Sequence, residues 1–157
     1  MHRSLTILQC CALTISEMNE VDNERINDIA KIENLQNVLD FIDGELESAD
    51  CGMKIQMQID VAVEELYVNV AHYAYTPEVG MVTVSIDFEG EPKQAVITLT
   101  DSGKPFDPTA KEDPDVTLSA QERQIGGLGI YMVKKSMDGM KYRREDGKNI
   151  LTINKQI

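Results

Sequence analysis

Residues 64–75 read EELYVNVAHYAY, and the fold turns on what a helix does with them. Projected at about 100° per residue, the run from Lys54 to Ala74 places Ile55, Ile59, Ala62, Leu66, Asn69 and Tyr73 on one narrow stripe. Asn69 therefore stands where a core residue belongs. Glu65, His72 and Gln58 fall along one edge of that stripe, whereas Glu64 projects to the far side with Asp60. A carboxamide in such a place either satisfies a buried backbone group or marks the point where the apolar face meets a ligand. The helix alone leaves both readings open.

Upstream, Leu35, Val38, Leu39, Ile42 and Leu46 repeat with helical spacing from Glu33 and stop before the turn formers at 49–52. Downstream, Pro77 ends the second helix by disfavouring helical backbone in the residue before it. The period then changes to two. Val82, Val84, Ile86 and Phe88 alternate with Thr83, Ser85 and Asp87, and a turn at 89–92 returns the chain along QAVITLT as a hairpin. Residues 101–127 hold three prolines and form an irregular stretch of a length that is usually functional or disordered. A third helix, GIYMVKKSMD, and a second hairpin, KYRRE–DGKN–ILTINKQ, complete the chain.

Helices followed by hairpins, without regular strand–helix alternation, predict an α+β fold. The expected form is a two-layer sandwich, a mixed and mostly antiparallel sheet with helices on one face. The polar, acidic run at 16–28 reads as a linker, so the domain is set at 25–157, and 1–24 is an N-terminal extension or lead segment. Its opening, MHRSLTILQCCALTI, has a basic start, but the apolar run is interrupted by Gln9 and is too short to span a bilayer. No small-x-small cleavage site follows, so an export leader is not expected.

With 157 residues, 42% of them hydrophobic and 27% charged, the chain can bury a core without disulfide or metal staples. Its net charge of -12 repels nucleic-acid backbones and anionic lipid, so neither nucleic acid nor membrane is an expected partner. Cys10, Cys11 and Cys51 make an odd count without a CxxC spacing, which suggests neither a disulfide framework nor a zinc site and fits a reducing, cytoplasmic setting.

Two glycine turns flank the polar-edged helix. In DSGKPFDP, residues 101–108, an Asp leaves a strand end where its carboxylate can accept from an exocyclic amine, and Gly103 permits both positive φ and close approach of a flat ring. In GGLGI, residues 126–130, backbone N–H groups unobstructed by Cβ atoms open a helix and suit a phosphate chain. Taken singly, each is weak: AspSerGly turns are common, and a lone GxG is as often a hinge.

Their order along the chain, polar-edged helix, strand ending in AspxGly, then loop closing into GlyxGly and a helix, resembles the GHKL superfamily over roughly residues 25–157. Within it the chain is most similar to the bacterial anti-sigma factor serine/threonine kinases, through EELYVN, DSGKPFDP and GGLGI. That resemblance implies a Bergerat-type ATP-binding fold, ATP and Mg²⁺ as cofactors, and transfer of phosphate to a small antagonist protein by a domain that also binds a sigma factor. It further implies that Asn69 holds Mg²⁺ against the phosphates and that Glu65 is the general base. By the same carry-over, Asp101 accepts from the adenine amine, Gly103 makes room for the ring, Thr152 supports the base, and Gly127 and Gly129 embrace the phosphates. His72 lies where related kinases carry a phosphate-contacting residue, though the spacing differs by one in some. Lys104 and Arg123 match no motif and read as solvated charge. A homodimer is also implied.

An ATP-dependent partner-binding module with little or no kinase activity is the competing expectation. A histidine kinase core is disfavoured, since His2 and His72 are the only histidines and no hairpin bearing a phosphoacceptor His precedes the domain.

Overall fold

The period-two run anticipated after Pro77 is the centre of the sheet. In a computed structural model, which describes residues 21–22, 25–110, 112–115, 117 and 128–157, strand β3 spans Met81–Glu89 and buries Val82, Val84 and Ile86. Strand β4, Gln94–Asp101, pairs with it antiparallel and buries Ala95, Ile97 and Leu99 in phase. The second hairpin joins β5, Gly139–Glu145, to β6, Lys148–Gln156, through a turn whose Asp146 and Gly147 have φ of 50° and 75°. Such a pair of left-handed residues matches the twist of the flanking strands. Strand β6 inserts beside β4, so the order is β1-β2-β3-β4-β6-β5.

Two further strands were not foreseen. Arg25–Ile29 forms β2, antiparallel to β3, and Val21–Asp22 forms a two-residue β1 on its outer edge. The linker expected at 16–28 is thus strand over its last residues. Alternation there was disguised because Asp28 occupies a buried, inward position between Ile26 and Ala30. Its carboxylate accepts the Ile29 N–H at 2.7 Å and Asn34 Nδ2 at 2.8 Å, which is why an acid survives in that register. Every pairing in the described sheet is antiparallel, so the mixed sheet expected from sequence is an antiparallel one.

Helix α1, Leu35–Ser48, buries Val38, Ile42 and Leu46, one residue per turn. Helix α2, Met53–Asn69, buries Ile59, Ala62, Val63, Leu66 and Tyr67, and packs between α1 and the last helix, α3, Leu128–Ser136. These side chains and the inward faces of β2, β3, β4 and β6 form one core. Tyr67 is fully buried, yet its hydroxyl reaches the carbonyls of Ile29 and Lys31, each at 3.0 Å, tying α2 to the end of β2. Burial and the nearby Asp28 charge push its pKa up to about 12. The lead segment 1–20, Arg123, Gly126 and Gly127 lie outside the described residues.

Candidate functional site

At Asn69 the α-helical ladder of α2 gives way to a π turn, Val70–Ala74. Single π turns inside helices recur at functional sites because they re-aim side chains without ending the helix. Here the wider turn brings the Ala74 carbonyl over the end of β4, where it accepts the Lys104 N–H at 2.8 Å. Lys104 Nζ donates to the Thr76 carbonyl at 2.7 Å, and the Tyr75 hydroxyl accepts the Ser102 N–H at 2.8 Å while donating to the Met81 carbonyl at 2.6 Å. The AspSerGly turn is thereby fastened to the tail of the helix.

Gly103 belongs to this fastening. A Cβ there would sit 2.4 Å from the Ala74 carbonyl oxygen, whereas its φ is not left-handed. The positive φ expected for this glycine is therefore corrected: what it permits is close approach, of Ala74 to its backbone.

Between the helix end and the sheet lies a crevice of about 240 Å³. Leu66, Val70, Ala74, Leu99, Ile130 and Leu151 give it apolar walls, and Asn69, Asp101 and Asn149 reach it as polar groups. Pro105, Phe106 and Pro108, from the described part of the proline-bearing stretch, close one side. Asp101 is buried, and its Oδ1 accepts both the Gly103 N–H and Asn149 Nδ2 at 2.8 Å. Asn69, in contrast, makes no side-chain hydrogen bond among the described residues.

The sequence-derived residues separate into three groups. Asn69 and Asp101 meet at the crevice, from two elements 32 positions apart in sequence. Glu65 lies half-buried one turn before Asn69 and against the start of α3, so close that a Cβ on Gly129 would fall 2.1 Å from its Oε2. Glu64 is exposed, as the helical projection indicates. Neither Glu65 nor His72 lines the crevice; His72 is exposed and meets the Tyr73 ring edge-on at 5.8 Å.

Thr152 is misplaced by the carry-over. Leu151 and Asn149 line the crevice, and Ile153 is in the core, so by the alternation of β6 Thr152 faces the opposite side of the sheet. There its hydroxyl meets that of Thr98 at 3.1 Å.

Asn149 is the β6 residue at the crevice, one that the motifs in the sequence do not mark. It sits directly across from Asp101 in the sheet register and hydrogen-bonds to it. A signal was present: an Asn in phase with Leu151 and Ile153 is a polar residue at an inward position, the same anomaly that marks Asn69 on the helix. Tyr142 and Arg144, from β5, were missed as well, and both donate to Asn149 Oδ1 at 2.8 Å.

Against known proteins, a family described as histidine kinase-like ATPase domain matches residues 29–155. The serine/threonine-protein kinase BtrW of Bordetella bronchiseptica is 24% identical over 100 residues, 64% of this chain and 70% of BtrW. A chain in the crystal structure of the SiaB–SiaC complex from Pseudomonas aeruginosa superposes with a TM-score of 0.55 at 14% identity, covering 99% of this chain and 100% of that one. This similarity is one of fold. Among the described residues no helix is long and apolar enough to cross a membrane.

Proposed function

This chain belongs to the histidine kinase-like ATPase domain family, and from that premise we propose that it is a serine/threonine protein kinase that uses ATP to phosphorylate a small antagonist protein. The observation that carries the reading is the convergence of Asn69 and Asp101 on one apolar crevice. A flat, apolar heterocycle with an exocyclic amine suits it, because the walls are aliphatic and aromatic and Asp101 supplies a hydrogen-bond acceptor. The Asn69 carboxamide, unpartnered among the described residues, offers the kind of hard oxygen that Mg²⁺ takes alongside phosphates. Mg²⁺, when bound, would neutralise charge developing on the transferred phosphoryl group.

The chain's own part is positioning and proton transfer. Asp101 holds the base of the nucleotide, Gly103 lets its turn seat against Ala74, and Gly127 and Gly129 are assigned to phosphate contact by the family resemblance, although Gly129 packs on Glu65. Glu65, one turn from Asn69, takes the proton from a Ser or Thr hydroxyl as it attacks. His72, exposed beyond Asn69, is assigned to phosphate contact. The domain of residues 25–157 would act in the cytoplasm as a homodimer that binds a sigma factor and its antagonist. Support for a protein partner comes from the SiaB–SiaC structure, which is itself a complex, and support for the acceptor class from the similarity to BtrW.

One observation favours the second reading, a module that grips its partner in an ATP-dependent way without turnover: Glu65 packs on Gly129 and does not line the crevice. Two measurements separate them. ATP labelled at the γ-phosphate is expected to label a co-encoded antagonist protein, and Glu65→Gln to abolish labelling while ATP binding persists by calorimetry. ATP binding with partner capture but no label in the wild type would establish the binding module instead.

A further inference from the structure

Behind Asp101 lies a chain of hydrogen bonds whose direction is fixed by chemistry. Arg144 is a donor only, and its Nη1 donates to Asn149 Oδ1 at 2.8 Å and to the Gly103 carbonyl at 3.2 Å. The Tyr142 hydroxyl donates to the same Asn149 oxygen at 2.8 Å. With its oxygen held on that side, Asn149 must turn Nδ2 the other way, where it donates to Asp101 Oδ1 at 2.8 Å and to the Lys104 carbonyl at 2.9 Å. Asp101 Oδ1 also accepts the Gly103 N–H and is thereby filled by two donors. Oδ2 receives none among the described residues.

We infer that Arg144, Tyr142 and Asn149 form a polarity relay that keeps Asp101 an acceptor toward the crevice and so selects a 6-amino purine over a 6-oxo purine. The inference rests on the nucleotide reading of the crevice and assigns it a selectivity mechanism. Without the relay, Asn149 Oδ1 is left unpaired, and the amide that holds Asp101 Oδ1 and the Lys104 carbonyl is anchored on one side only. Asp101 then loses its fixed aim at the crevice, and with it the contrast between an amine that donates to its free oxygen and a 6-oxo group that faces it as a like acceptor. Arg144 is a positioning residue that acts through Asn149 and Asp101, whereas Tyr142 and Asn149 also line the crevice.

ATP and inosine triphosphate make the test, because their bases differ at C6, amine in one and carbonyl in the other. Titration calorimetry on the full chain is expected to show ATP favoured by about tenfold or more, the scale of one buried polar group left facing a like group. Arg144 is largely exposed, so Arg144→Ala leaves the core untouched; it is expected to bring the ratio to within about threefold, and Arg144→Lys, still a donor only, to restore it. Asn149→Ala is the second variant and is expected to lose the preference in the same way.

A lowered melting temperature in Arg144→Ala with the wild-type ratio intact would reduce the network to a structural pin and overturn the relay. Equal binding of the two nucleotides by the wild type would overturn it too, with the crevice still a nucleotide site. Binding of neither would refute the nucleotide reading itself.

Discussion

Replacing Gly103 by Ala strikes the contact on which the crevice geometry depends. The added Cβ would lie 2.4 Å from the Ala74 carbonyl oxygen, 2.6 Å from the Ala74 Cβ and 2.7 Å from its carbonyl carbon, and two of these are backbone atoms that cannot swing aside. The turn and the helix tail must part by about 1 Å to restore ordinary contact. That stretches the Lys104 N–H···Ala74 bond from 2.8 Å past useful length. One hydrogen bond at about 1 kcal/mol and a local overpacking of about 1–3 kcal/mol give a loss of roughly 2–4 kcal/mol. For a chain of this size that corresponds to about 5–15 °C in melting temperature.

Asp101 moves with the turn, so ATP affinity should fall by about tenfold or more even where the variant is fully folded. Gly44 is the control. It lies in α1 with nothing within 4 Å of a Cβ, so Gly44→Ala should be neutral or stabilising by about 0.5–1 kcal/mol. Differential scanning calorimetry and ATP titration read both variants. A Gly103→Ala protein that melts with the wild type and binds ATP as tightly would refute the steric account.

Asp60 on α2 faces Asp43 on α1, and burial, the hydrogen bond to Asp43 and its like charge raise its pKa from 3.8 to about 7. The folded state thus holds the proton more tightly than the unfolded one. The stability it contributes is full below pH about 4 and is lost as pH rises through about 7. Melting temperature should therefore decline between pH 5 and pH 8 in the wild type and decline less in Asp60→Asn; parallel curves would contradict the pair. Tyr67→Phe removes the hydroxyl bridge from α2 to the Ile29 and Lys31 carbonyls, which keep the Asn34 side chain and backbone N–H groups as donors, and should cost about 0.5–1.5 kcal/mol in urea denaturation, with a value near zero showing that the bridge adds nothing to those bonds. Gly129→Ala meets the flexible end of Glu65, so it should leave stability within about 1 kcal/mol of wild type yet reduce label transfer to the antagonist protein, and full transfer would separate Glu65 from the chemistry.

What was legible in the sequence followed from periodicity and its interruptions. Period-two alternation announced β3 and β4, and helical spacing announced α1 and α2, because in each the inward positions are apolar without exception until the site is reached. Where a polar residue enters an inward position, the same pattern yields two different outcomes. Asp28 hid β2 because one buried acid in a five-residue strand removes half of its alternation signal, and its partners, the Ile29 amide and Asn34, lie too near in sequence to advertise a site. Asn69, in a longer helix, stood out against its neighbours.

Asn149 belongs with Asn69 in kind but escaped notice. Ile150 and Leu151 are adjacent and both apolar, so the run NILTIN admits either face as the inward one. Only pairing with β4 settles it, since Asp101↔Asn149 and Leu99↔Leu151 fix the phase and turn Thr152 outward to Thr98. Register is a tertiary quantity and a shift of one residue exchanges the faces of a strand. The inward face of β6 was therefore open between two choices, whereas the inward faces of α2 and β4 were fixed by stripes that run one way only.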